Sequence, residues 1–167
     1  MSRAITEQLL YVMDEAFEGA EQEHSLLGNL RPLREDDWDW VPSGGARSIF
    51  EIVRHVGECK YVYVNHAFGD ASMRWDRPGT VPTVESETGR PAVIEWLREG
   101  QRRWLGKIAD LNDDDQLLRP RRANWGREYE TRWLVNVLIQ HDLYHAGEIN
   151  HIRALRHGND RWAWESE

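Results

Sequence analysis

From about Thr131 to His157 the chain keeps a helical period, and Gly158 stands at a favoured position just past its end. It is the last of four such segments. The first runs from about Ala4 to Leu27, with Ile5, Leu9, Val12, Met13, Ala16, Phe17 and Ala20 near helical spacing. The second opens on Ser48-Ile49-Phe50-Glu51, a capping box with Ser48 as N-cap, and ends near Phe68 before Gly69. The third begins near Pro91, a favoured first-turn residue, and continues to about Leu111, where Asn112 to Asp115 break it. Between them, residues 30–45, 70–89 and 116–130 read as connections punctuated by Pro32, Pro42, Gly44, Gly45, Pro78, Gly79, Pro82, Gly89 and Gly126. No segment reads as a sheet. Four amphipathic helices predict an all-α antiparallel four-helix bundle, formed as one domain over residues 1–167.

Bulk properties narrow the function. With 29 acidic and 21 basic residues the formal net charge is −8. That balance argues against nonspecific nucleic-acid binding and against an anionic membrane surface. No apolar run approaches the ~20 residues that cross a bilayer. The amino-terminal residues carry no hydrophobic signal region, so a cytoplasmic protein is expected. Cys59 is the single cysteine, which excludes an intrachain disulfide and a cysteine-rich zinc site. Nine tryptophans are many for this length. Trp38, Trp40, Trp75, Trp125, Trp162 and Trp164 lie in polar segments, where they can pack loops back onto the body or line a cleft.

The chemistry-bearing residues concentrate in the fourth helix. His141 and His145 are one turn apart, close enough for two imidazoles to hold one ion. They share the stripe Trp133, Val137, His141, His145, Ile152, which is expected to face inward, where two unpaired rings would need partners. His55 on the second helix shares a face with Ile52, Val56 and Cys59 and completes a three-histidine set. Three neutral imidazoles leave a coordination position open, as catalytic sites do. Glu58 and Glu148 each follow a candidate ligand by three residues. Either can bind the ion, orient an imidazole or serve as a base; Glu148 is the candidate catalytic residue, and Glu58 reads as structural. The two share a His-x-Gly-Glu pattern, read as coincidence. Asp142 is expected at the surface and Tyr144 in the core, and Cys59 as a buried, unreactive thiol. His24, His66, His151 and His157 read as structural or surface residues, and Arg102-Arg103 and Arg119 to Arg122 as solvated surface.

Two stretches carry a family resemblance. Trp40-Val41-Pro42 followed by Ser48-Ile49 and His55 with Glu58, and Gln140-His141-Asp142-Leu143-Tyr144-His145-Ala146-Gly147-Glu148-Ile149, resemble the DinB superfamily over about residues 5–157. The resemblance implies a four-helix bundle with a divalent metal held by His55, His141 and His145, and homodimers. It implies activities such as metal-dependent thiol transfer, which joins a low-molecular-weight thiol to an electrophile, or mycothiol-dependent isomerisation. Glu148 departs from relatives that often carry Gln there, and its charge would disfavour an anionic thiolate.

The expected function is therefore a metal-dependent thiol transferase, with zinc or nickel as the leading metals and iron or manganese as others that imidazole suits. Its expected partners are a small-molecule thiol and electrophile and a second copy of the chain, with no nucleic acid or membrane. Metal-assisted hydrolysis, a non-catalytic metal-stabilised binding or stress-response module, and a bundle with three satisfied core histidines stand as alternatives.

Overall fold

The computed structural model describes residues 2–19, 24–162 and 165. Four helices form the body: α1 (Ala4–Asp14), α2 (Ile49–Phe68), α3 (Arg90–Ala109) and α4 (Thr131–His157). Helix α2 lies against α3 and α4, and α1 packs on the same two. The helical bundle is thus the one expected, and two of its helix-end signals sit where the local chemistry places them. Ser48 accepts a hydrogen bond from the Glu51 N–H at 3.2 Å, and the Glu51 carboxylate accepts from the Ser48 N–H at 2.9 Å. At the far end, Gly158 adopts the left-handed conformation at φ +62°, which closes α4 without a side-chain penalty.

The first helix is shorter than its periodicity suggests. It ends at Asp14 and passes into a wide π-type turn over Glu15–Gly19. Residues 20–23, which include Ala20 of the expected helix, lie outside the described residues, as does Trp164. The chain then folds back: the N–H groups of Leu26 and Leu27 donate to the carbonyls of Ala16 and Phe17 at 3.0 and 2.9 Å. Leu26 and Leu27 are buried, so their apolar signal reported the core rather than a continuation of α1.

A second difference lies in residues 116–130. This connection contains a short antiparallel hairpin, β1 (Pro120–Arg122) paired with β2 (Glu128–Glu130), with Arg121 opposite Tyr129. Three-residue strands are too short for an alternation to stand out in the sequence.

Two mutual caps tie α1 to the segment after α3. Asp114 accepts from the N–H of Thr6 and from its hydroxyl, both at 2.9 Å, and so satisfies the start of α1. In return, Arg3 donates to the carbonyls of Leu111 and Ala109 at 2.7 and 3.0 Å, at the end of α3.

Between α2 and α3 the indole of Trp96 lies directly against the backbone at Gly57. A Cβ built there would stand 2.1 Å from the ring of Trp96, which itself stacks on Tyr61. Gly57→Ala is therefore expected to force the helices or the indole apart and to destabilise the fold by about 1–3 kcal/mol, measurable by urea unfolding. At Gly147, its counterpart in the His-x-Gly-Glu echo, an added Cβ would meet nothing within 4 Å beyond its own helix backbone and chain neighbours among the described residues. The two glycines answer to different local needs, so the echo is a coincidence of sequence.

The core divides into two apolar clusters. One gathers Ile52, Val53, Val56, Val93, Leu97, Ile149 and Ile152; the other Met13, Val64, Trp104, Ile108, Leu134 and Leu138. On α2, α3 and α4 the residue between the clusters is Lys60, Gln101 and Asp142, all buried. Lys60 donates to Asp142 at 2.7 Å and to Gln101 at 2.8 Å, and Gln101 donates to the Met13 carbonyl of α1 at 3.1 Å. One polar layer therefore joins all four helices. The expectation that Asp142 is exposed fails here: it is 2 % exposed, because a cation on another helix reaches it in the interior.

Candidate metal centre

Beside that layer, α2 and α4 bring three imidazoles together. His55 lies two turns into α2, after its capped start at Ser48; His141 and His145 lie one turn apart on α4. The Nε2 atoms of His55 and His141 are 3.2 Å apart, and so are those of His141 and His145. One ligand atom from each of the three lies within 4.8 Å of the others. Burial is graded across the cluster. His145 is 6 % exposed, His141 is half-buried, and His55 is exposed, so the His55 side opens to solvent.

Proton counting shows what these contacts can accommodate. The Glu148 carboxylate lies 2.7 Å from His145 Nδ1 and accepts from it. In the neutral ring this leaves Nε2 as a lone pair facing His141. His141 Nε2 meets two nitrogens, and one proton cannot satisfy both contacts. Its Nδ1 is buried with no protein partner among the described residues. A cation between three lone pairs would satisfy all three. Two nitrogens bound at ~2.0–2.1 Å to a tetrahedral ion stand roughly 3.3 Å apart, close to the spacing seen here.

Electrostatics favour the neutral, lone-pair form. Burial, reinforced by the neighbouring His145 and His55 and by Lys60, pushes His141 down to about 3. His55, at the open side, is lowered by the partial burial of its ring and then by His145.

The other sequence candidates separate from this centre. Glu58 accepts from the Thr83 hydroxyl at 2.7 Å and faces Arg54 at 4.0 Å. Cys59 is buried and its sulfur is 3.8 Å from the His55 ring; burial raises the thiol to about 11, so it stays protonated and unreactive. Tyr144 is 70 % exposed with its ring 5.0 Å from that of His145, which corrects the expected core position. Its neighbour Leu143 is exposed as well, so this face of α4 points outward. Trp133, expected on the inward stripe, is 40 % exposed and stacks on Tyr129 of the hairpin at 4.1 Å. Of the remaining histidines, His66 bonds to the Met73 carbonyl, His157 to Asp37, and His151 is exposed. Arg102 and Arg103 pair with Glu95 and Glu99 on the surface.

Sequence reading missed Lys60 and Gln101. Both are polar residues in phase with the apolar face of their helices, Lys60 between Val56 and Val64, Gln101 between Leu97 and Trp104. That mismatch was the available signal.

A family model described as the DinB superfamily matches residues 19–149. The search of curated proteins returned no match.

Proposed function

The chain belongs to the DinB superfamily, and from that membership and the convergence of three imidazoles we propose that it binds one divalent transition-metal ion at His55, His141 and His145 and joins a low-molecular-weight thiol to a small electrophile. The single observation that carries this reading is the pair of 3.2 Å Nε2 contacts meeting on His141, with the His55 side open. Zinc or nickel held there would favour the thiolate of a coordinating thiol at neutral pH.

The chain's own residues supply the rest. Burial keeps His141 neutral. Glu148 holds His145 in one tautomer and orientation through its Oε2, and is the carboxylate we assign to take the thiol proton. Trp133, roughly 12 Å before His141 along α4, and Trp125, packed edge-to-face on it at 6.2 Å, present exposed rings against which an apolar extension of the substrate, remote from the reacting atoms, can lie. Glu148→Ala is expected to weaken zinc binding by about 10–100-fold, with Glu148→Gln closer to wild type, as measured by competition with a chromogenic chelator.

The test of function is turnover of cysteine or glutathione with an alkyl or aryl halide by metal-loaded protein. Activity that depends on thiol and is lost on chelation supports the proposal; activity surviving metal removal sinks it. The Glu148 carboxylate beside His145 favours one rival, hydrolysis through a metal-activated water. Turnover of activated esters without any thiol would identify that rival.

A further inference from the structure

We infer that the carboxyl-terminal end of α4 carries a second binding site, for a phosphate dianion, free or as the monoester of a small polar molecule. A cavity of about 370 Å³ opens there, between the connection that precedes α2 and the residues that follow α4. Its walls are Pro32, Arg34, Arg153, His157, Asn159 and Arg161, and among the described residues no carboxylate lines it. His157 is twelve residues beyond His145, about 18 Å along the helix axis, so this site is separate from the histidine cluster.

Two guanidinium groups define the chemistry. Arg34 and Arg161 are exposed, and their hydrogen bonds use backbone atoms only. The Arg34 N–H donates to Asp37, the Arg161 N–H donates to Asn159, and the Arg161 carbonyl accepts from Arg153. Neither guanidinium meets an acceptor among the described residues. The cavity wall is mostly nitrogen and oxygen rather than carbon, so the arginines turn their charged heads toward it, not their stems. Two forked donors from separate chain segments suit a group with three terminal oxygens and nearly two negative charges, which a phosphate monoester has and a carboxylate lacks.

The remaining wall is fixed, and the negative groups around it are already paired. Arg153 is 3 % exposed; it donates to Asn150 Oδ1 at 3.1 Å and to the Arg161 carbonyl, which anchors Arg161 over the end of α4. The Asn159 N–H donates to the Ala154 carbonyl at 3.1 Å and the Gly158 N–H to that of Leu155 at 3.4 Å, so the last carbonyls of α4 are taken and its negative end is blunted. Asp37 is buried and accepts from the Arg34 N–H at 2.8 Å and from His157 Nε2 at 3.1 Å, and Asp36 faces Arg156 at 3.2 Å. Burial lowers Arg153 from the ordinary arginine value, against the pull of Asp37 and Glu165, so an anion beside it is favoured. A wall poor in carbon also requires that any group esterified to the phosphate be polar, as a polyol is.

The test titrates ¹⁵N-labelled full-length protein, at fixed ionic strength, with inorganic phosphate, glycerol 3-phosphate and glycerol. Both phosphates are expected to give saturable shifts of the Asn159 and Arg161 amides, and glycerol none. Arg34→Gln and Arg161→Gln are each expected to weaken phosphate binding about tenfold or more, the loss of a charged hydrogen-bonding partner, while keeping the wild-type spectrum elsewhere. Tighter binding of glycerol 3-phosphate than of phosphate identifies an ester as the ligand, and equal binding identifies free phosphate; either supports the site. Absent or non-saturating shifts with both phosphates, shifts at His141 and His145 in place of Asn159 and Arg161, or unchanged affinity in both variants would overturn the proposal. The first two of these results come from the wild-type protein, so they decide the matter even if a variant does not fold.

Discussion

His145→Ala is expected to leave the protein without bound metal. Of the three imidazoles, His145 is the most buried and has its tautomer fixed by a carboxylate, so it has the least freedom to be replaced by solvent. Losing only the outer partner of a metal-bound histidine typically costs about 10–100-fold in affinity, so losing the imidazole itself should cost more than about a hundredfold. Protein purified without a His-tag or chelating resin should carry near-stoichiometric metal as wild type and essentially none as His145→Ala or His141→Ala. Wild-type protein that takes up no zinc, nickel, iron or manganese would remove the basis for the thiol-transfer proposal. Metal retained in full by His145→Ala would move the site elsewhere.

Lys60→Met is expected to be the most destabilising single change, by about 3–5 kcal/mol in urea unfolding. The substitution nearly conserves volume but leaves Asp142 in the interior with Oδ1 already unpartnered and Oδ2 stripped of its 2.7 Å donor. Burial already raises the Asp142 carboxyl despite that donor, so removing Lys60 would push it further toward the protonated form. The double change Lys60→Met with Asp142→Leu should recover much of the loss, since removing both charges avoids an orphaned one. A double variant as unstable as the sum of the two single variants would show that the layer acts through something other than the ion pair.

Features coded by neighbouring residues were legible. The Ser48 capping box, the Gly158 terminus and the one-turn spacing of His141 and His145 are each written within a few positions. His55 was joined to the pair by a face read as shared with Ile52 and Val56; those two are buried, whereas His55 lies exposed at the edge of that face and meets His141 there. Asp142 was misplaced because its partner lies 82 residues away on another helix, and no local pattern marks a carboxylate that will be met by a buried lysine. Tyr144 erred in the opposite sense. An aromatic ring beside a buried histidine reads as core, yet adjacent positions on a helix diverge by about 100°, and Tyr144 is turned out to solvent while His145 is turned in. The first helix was overextended because Leu26 and Leu27 continue the apolar content after the helical hydrogen bonds have stopped.

The reciprocal bonds of Arg3 and Asp114 bear on how the molecule opens. The first turn of α1 and the last turn of α3 each borrow their terminal partners from the other's neighbourhood, so neither can fray without releasing both. Amide protons at Ile5 and Thr6 and around Leu111 should therefore exchange with deuterium as one cooperative unit, at a shared rate, where unlinked helix ends would each exchange at their own.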